Sequence, residues 1–283
     1  MTSQNPDYIT TASEVARRAG ALLLDYLRRG VKTEYKGLGT VDLVTEADRA
    51  SEKLIVESLR AAFPNHGIVG EEGSRSQSSG ECLWYVDPLD GTTNFAHGFP
   101  VFCVSLGLAR NNEVIAGVVY DPTRNELFAA ERGSGATVNG KQIHVSKISS
   151  LSESLLGTGF PSKKRHLNPN IHFYHQLTLK SHGLRRAGSA ALDLACVASG
   201  RYDGYWEFNL NAWDTAAGVL LVEEAGGKLT HVDGSRFDVA ASRDVLASNG
   251  LIHAELMNEM RAVMQGRVDP LPSPTEFAKT HLS

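Results

Sequence analysis

The sequence predicts an α+β protein from three successive textures. Helical apolar periodicity opens the chain, short apolar runs separated by turn residues follow, and helices and strands mix thereafter. The first helix carries Ala12, Val15, Ala16, Ala19, Leu22, Leu23, Tyr26 and Leu27 on one face. Thr11 and Glu14 stand at capping-box spacing at its start, and Gly30 follows its end. A second helix runs from about Thr45 to Phe63, with Ala47, Ala50, Leu54, Ser58 and Ala62 as its stripe and Pro64 as its stop. Between the two, the segment from Lys36 to Thr40 holds Gly37 and Gly39 and reads as mobile.

Strands are expected at Ile68 to Glu72, Cys82 to Val86, Phe102 to Ala109, Val114 to Tyr120 and Glu126 to Ala130. Turn residues such as Asn111-Asn112, Asp121-Pro122 and Asn139-Gly140 join neighbours closely enough to imply antiparallel pairing. The second half reads as a buried helix at Ser189 to Ser199, a strand at Tyr202 to Phe208 and a helix from Trp213 to Ala225 closed by Gly226-Gly227. Short strands follow at Leu229 to His231 and Leu246 to Ser248, and Ile252, Leu256, Met260 and Val263 mark a last helix. The serine-rich stretch Ser146 to Ser154 is the boundary candidate. It divides an N-terminal α+β subdomain (1–145) from a C-terminal α/β subdomain (146–268), with a loosely ordered, proline-bearing tail at 269–283.

A chain of 283 residues is long enough for two domains or one bilobed unit with an ample core. Lys plus Arg is 28 against 32 Asp plus Glu, and this net charge of −4 lacks the basic excess that nucleic-acid binding needs. Cys82, Cys103 and Cys196 form no disulfide or zinc spacing, which fits a reducing compartment. With neither a signal pattern nor a membrane-length apolar run, the expectation is a soluble cytoplasmic protein without membrane partners.

The informative residues are acidic and sit at strand ends and turns. Asp87-Pro88-Leu89-Asp90-Gly91-Thr92 follows an apolar strand; Pro88 keeps Asp87 extended and Gly91 permits a sharp turn. Two carboxylates converging in such a turn repel unless a cation lies between them, and all-oxygen ligands select Mg²⁺, Mn²⁺ or Ca²⁺. The backbone N–H groups after the turn suit a phosphate. Taken singly, Asp87 and Asp90 also fit an Asx turn, Glu71-Glu72 a solvated strand end, and Asp214 a helix N-cap. Gly157-Thr158-Gly159 lacks the third glycine of a dinucleotide fingerprint and reads as a turn. His172 and His175 read as surface residues on one helix face, His97 as loop packing, and Arg185-Arg186 as solvated.

Together the pieces resemble the inositol monophosphatase family of metal-dependent, lithium-sensitive phosphatases. The likeness covers roughly residues 10 to 265. It is carried by the run Trp84 to Phe95, by Trp213-Asp214-Thr215-Ala216-Ala217-Gly218, and by Asp42 to Asp48, Gly70-Glu71-Glu72-Gly73 and Gly188-Ser189-Ala190-Ala191. The resemblance implies a layered αβαβα sandwich, with an antiparallel sheet in the first half and a mixed sheet in the second. It implies two or three Mg²⁺ ions, with Mn²⁺ as a substitute. Glu71, Asp87 and the Leu89 carbonyl would hold the first, Asp87, Asp90 and Asp214 the second, and Glu71 would assist a third. Thr92 and Asp48 would orient the attacking water, and the Gly91 and Thr92 amides would receive phosphate. Gly188, Ser189, Ala190, Glu207 and Asp214 would meet the alcohol half. Lys36 would belong to a loop closing over the metals.

The implied activity is hydrolysis of myo-inositol 1-phosphate and related inositol monophosphates by metal-activated water, in a homodimer. Histidinol phosphate, fructose 1,6-bisphosphate and 3′-phosphoadenosine phosphate are alternative substrates. The short Glu72-to-Asp87 spacing and Thr93 in place of lysine lean toward inositol phosphate. A protein-binding regulatory role beside catalysis is a further alternative.

Overall fold

The computed structural model describes residues 7–30, 33–35, 43–76, 80–160, 168–241, 243–271, 273–275 and 279. Helix α1 (Tyr8–Arg29) and helix α2 (Glu46–Ala62) pack against each other, and β1 (Thr33–Tyr35) pairs antiparallel with β2 (Leu43–Thr45) between them. The expected capping box at Thr11 and Glu14 is not the start of α1. Asp7 caps the helix one turn earlier, accepting the Thr10 N–H at 2.8 Å, because an Asx side chain satisfies that orphan donor equally well. Lys36, Gly37, Gly39 and Asp42 lie outside the described residues.

Eight strands form the first sheet: β3 (Gly67–Gly70), β4 (Arg75–Ser76), β5 (Cys82–Asp90), β6 (Cys103–Arg110), β7 (Glu113–Asp121), β8 (Glu126–Glu131), β9 (Gly135–Val138) and β10 (Lys141–Ile143). Their order is β10-β9-β8-β7-β6-β5-β3-β4, and every pairing is antiparallel except β3 with β5. That one parallel pair departs from the all-antiparallel expectation. The detour through the short β4 returns the chain to run alongside β3 instead of back against it.

After a 3₁₀ turn at Leu151–Glu153 come β11 (Leu155–Thr158), α4 (Asn170–Lys180), β12 (Gly183–Arg185), α5 (Ala190–Ala198), β13 (Gly204–Phe208), α6 (Ala212–Glu224), β14 (Lys228–Thr230), β15 (Asp244–Ser248) and α7 (His253–Met264). The five strands lie in the order β12-β11-β13-β15-β14. β11 is parallel to both neighbours, whereas β15 is antiparallel to both of its own, so this sheet is mixed as expected. Gly157 and Thr158 belong to β11, not to a turn. The strand is short and lined by Gly157, whose missing Cβ admits the Tyr202 ring, so its apolar signal is weak. At the start of the tail, Asp269 and Pro270 are tied to α4 by Gln176 and His175.

Strand alternation sorts the cores into layers. Trp84 and Val86 of β5, with Val104, Leu106 and Leu108 of β6, face α1 and α2, where they meet Ala16, Leu23, Ile55 and Leu59. Tyr85 and Val119 face the other way onto α5 and α6, which also cover Tyr205 and Ala247 of the second sheet. Trp206 and Leu246 point beyond that sheet to α4 and α7. The result is an αβαβα sandwich with α5 and α6 as its central layer.

One contact in that layer sets the site. Gly107 and Gly117 are opposite partners on β6 and β7. A Cβ on Gly107 would lie 2.5 Å from Ala216 Cβ, and one on Gly117 would lie 2.9 Å from the Ala217 backbone. Only paired glycines let α6 lie this close to the sheet. That seats the α6 N-terminus, and with it Asp214, against the end of β5.

Candidate active site

The buried face of α2 is not the expected stripe. Ala50, Leu54, Ser58 and Ala62 border an open groove of about 860 Å³ against α1. The face turned to the sheet carries Ala47, Asp48, Ser51, Glu52, Ile55, Val56 and Leu59. Three polar residues are buried there because each holds part of the site. Asp48 Oδ1 lies 3.2 Å from the Thr92 hydroxyl, Ser51 Oγ donates to the Pro88 carbonyl at 2.9 Å, and Glu52 accepts the Glu72 and Ser74 N–H groups at 2.8 and 3.0 Å. Sequence reasoning missed Ser51 and Glu52; the signal was an Asp-x-x-Ser-Glu run at helical spacing among apolar residues.

Asp87 and Asp90 do not sit in a tight turn but in a bulged strand. Asp87 pairs with Ser105 and Asp90 with Cys103, so Pro88 and Leu89 oppose a single residue of β6. In a regular strand, residues three apart point to opposite faces; the extra residue brings both carboxylates to the same face. Proline has no N–H to lose from the ladder, which suits it to the bulge. Gly91 then takes φ 95°, and a Cβ there would approach the Val101 carbonyl to 2.8 Å. This left-handed residue starts the short helix α3 (Thr92–Ala96), which brings the Thr92 hydroxyl within 3.1 Å of the Leu89 carbonyl as well as near Asp48. Asn94 donates to the carbonyls of Val101 at 2.7 Å and Ala187 at 2.9 Å, tying this turn to the loop that carries Gly188. Its role was not legible in the motif.

The remaining acids come from three other elements. Glu71 follows β3, where its N–H donates to the Val86 carbonyl at 3.1 Å. Asp214 lies at the third position of α6 and completes a capping box with Asn211, whose N–H it accepts at 2.6 Å. Its expected N-cap place is thus taken by Asn211. Glu207 lies on β13 under the Tyr205 hydroxyl, in space that Gly159 leaves by having no side chain. Ser189, expected among the contacts to the alcohol half, also meets the acid cluster. Its side chain is buried and donates to Asp90 Oδ2 at 2.7 Å while capping α5. His97 is exposed, as is His172 on α4, and His175 lies 3.3 Å from the Pro270 carbonyl.

Burial raises the Asp87 carboxyl well above its ordinary range, reinforced by the charges of Glu71, Asp90 and Asp214. Burial also raises Asp90, against hydrogen bonds from Ser189 and Ala191 that favour its charged form. Asp214 is pushed up to about 7 by burial and by Asp90 and Glu207, and Glu207 to about 7 by burial and Asp90. Among the described residues, no ion pair reaches Asp87, Asp90 or Asp214. A group of buried like charges, all of them oxygen donors, fits a hard divalent cation. Among the described residues, no three His, Cys, Asp or Glu side chains are drawn into a cage for one ion.

A layered αβαβα fold with a cluster of buried carboxylates beside a Thr–Asp pair matches a class of phosphatase that works with metal ions. The chain belongs to the inositol monophosphatase family, whose model matches residues 5–265. It is 45% identical over 260 residues to an inositol-1-monophosphatase of Synechocystis sp., covering 91% of this chain and 90% of that one. It is 46% identical over 233 residues to the Nus factor SuhB of Pseudomonas aeruginosa, covering 80% and 86%. Among solved structures, the inositol monophosphatase from Anabaena (Nostoc) sp. superposes with a TM-score of 0.81 at 46% identity, covering 93% of this chain and 97% of that one. The Thermotoga maritima IMPase gives 0.83 at 38%, covering 90% and 97%. The chain is a phosphatase of a metal-dependent family, acting on a small phosphate ester. No helix among the described residues is long and apolar enough to cross a membrane.

Proposed function

We propose that the protein hydrolyses myo-inositol 1-phosphate and related inositol monophosphates with Mg²⁺, or Mn²⁺ in its place. The bulge that turns Asp87 and Asp90 to one face carries this reading. Glu71, Asp87 and the Leu89 carbonyl would hold one ion, Asp87, Asp90 and Asp214 a second, and Glu71 would assist a third. When bound, these ions supply Lewis-acid stabilisation of the phosphoryl and leaving oxygens and a more acidic water. The chain's own part is positional. Thr92 Oγ1 donates to Asp48 Oδ1 or to the Leu89 carbonyl, which leaves its lone pairs to accept from the attacking water and fix its direction. The backbone N–H groups of Gly91 and Thr92 would receive the phosphoryl oxygens.

Glu207 favours a polyhydroxylated alcohol. It is 9% exposed on β13, close enough to Asp90 and Asp214 to feel their charge, and the Tyr205 hydroxyl holds one of its oxygens. A carboxyl so placed would accept hydrogen bonds from ring hydroxyls, and Gly188 and Ala190 would meet the same alcohol. The test is phosphate release with Mg²⁺ from inositol 1-phosphate, histidinol phosphate, fructose 1,6-bisphosphate and 3′-phosphoadenosine 5′-phosphate. Inositol 1-phosphate is expected to give the highest kcat/KM, and Asp90→Asn to abolish turnover in a folded protein. Preference for another ester overturns the substrate, and near-normal Asp90→Asn activity overturns the site. Similarity to SuhB proteins named as Nus factors supports a second, protein-binding role beside catalysis. The family reading extends to a lithium-sensitive cytoplasmic homodimer, which sedimentation and Li⁺ titration test.

A further inference from the structure

Asp90 is gripped from across the sandwich. It ends β5 of the first sheet, yet two of its hydrogen bonds come from the N-terminus of α5, in the central layer. The Ser189 hydroxyl and the Ala191 N–H both donate to Oδ2 at 2.7 Å. The Cys103 thiol adds a long contact to the same oxygen at 3.9 Å and lies 3.6 Å from Ser189 Oγ. Ser189 is 1% exposed and Cys103 0%, so neither is a surface group that a substrate would reach.

A carboxylate at the N-terminus of a nine-residue helix is held by oriented donors and by the helix dipole. Here the Ser189 hydroxyl, the Ala191 N–H and the Cys103 thiol all end on Oδ2, and the Ala190 N–H also donates to the same carboxylate.

We infer that Ser189 is a positioning residue for cation binding: with the Ala191 amide it fixes Oδ2 of Asp90 and so orients that carboxylate for the ion. The inference rests on the metal-dependent reading of the site and assigns Ser189 to the protein side of Asp90 instead of to the substrate. It also links the two sheets. Hydrogen bonds thus tie the loop carrying Gly188, held at Ala187 by Asn94, to the acid that would receive the ion.

The experiment is Mn²⁺ binding without substrate, followed by electron paramagnetic resonance, on wild type, Ser189→Ala and Ser189→Thr. Removing such an outer partner weakens metal affinity by roughly ten- to a hundredfold. Ser189→Ala is expected in that range, with Ser189→Thr, which keeps the hydroxyl, within about threefold of wild type. In turnover, the Mg²⁺ activation constant should rise while substrate KM at saturating Mg²⁺ stays unchanged. Because Ser189 also caps α5, Ser189→Gly, which a helix N-cap tolerates far better than alanine, is measured alongside. Wild-type Mn²⁺ affinity in folded Ser189→Ala and Ser189→Gly, or a change confined to substrate KM, overturns the inference. Absence of Mn²⁺ binding by the wild type overturns the metal reading itself, a distinct result.

Discussion

Replacing Glu52 by alanine is expected to loosen the whole Glu71-Glu72 turn. Glu52 is 4% exposed and accepts the N–H groups of Glu72 and Ser74. Each hydrogen bond to a carboxylate is worth about 1.5–3 kcal/mol, so losing the pair costs roughly 4 kcal/mol. With an unfolding entropy near 2.1 cal/mol/K per residue, that is a fall of about 7 °C in Tm for a chain of this length. Glu52→Gln keeps one acceptor oxygen and is expected to lose about half as much. Gly70 supplies an internal check, because a Cβ there would overlap the Glu52 carboxyl. Gly70→Ala alone should therefore destabilise, and should be tolerated once Glu52→Ala has emptied the space, giving a strongly non-additive cycle. Differential scanning calorimetry of the four proteins, freed of metal, is the assay. A Glu52→Ala protein melting within about 1 °C of wild type, or an additive cycle, refutes the reasoning.

Other consequences follow from the same geometry. Asp214 and Glu207 are raised to about 7 from ordinary values of 3.8 and 4.5, so the stability they contribute is complete at low pH and lost as pH rises through 7. Chelator-treated protein should thus melt lower at pH 8 than at about pH 6, and Mg²⁺ should cancel the difference; a flat chelated profile counts against it. Burial lowers His253 to about 4, with Ser248 and Thr230 hydroxyls on its two ring nitrogens. Its contribution is complete above about pH 6.5 and is lost as pH falls toward 4, so His253→Gln should flatten the acid limb of the stability curve measured by urea unfolding. Asp193 is buried with neither oxygen hydrogen-bonded, and burial raises it well above its ordinary range. Asp193→Asn should raise the melting temperature at pH 8 and change it little at pH 4; equal effects at both would refute an unpaired acid. Gly107→Ala should destabilise by about 1–3 kcal/mol through overlap with Ala216 and should weaken Mn²⁺ binding by displacing Asp214.

Much of this molecule is written in local pattern. Helices at Tyr8–Arg29, Ala190–Ala198 and Ala212–Glu224, and the meander from Cys82 to Glu131, follow from periodicity and turn residues that neighbours in the chain decide. The acids themselves, Glu71, Asp87, Asp90 and Asp214, stand out because their types and spacing recur as long motifs. What brings them together is not local. The bulge at Pro88 exists only in register against β6, and α6 reaches the sheet only because Gly107 faces Gly117 across two strands. Ser51 and Glu52 show no role until the β3 and β5 ends they hold are in place. That the Ser189 hydroxyl meets Asp90, 99 residues earlier, is visible only once α5 is packed against the end of β5. Residue type and short-range spacing are set along the chain, whereas the direction of a side chain and the partner it meets depend on packing between segments far apart in it. The chemistry could therefore be named from the sequence, but the supports that aim it could not.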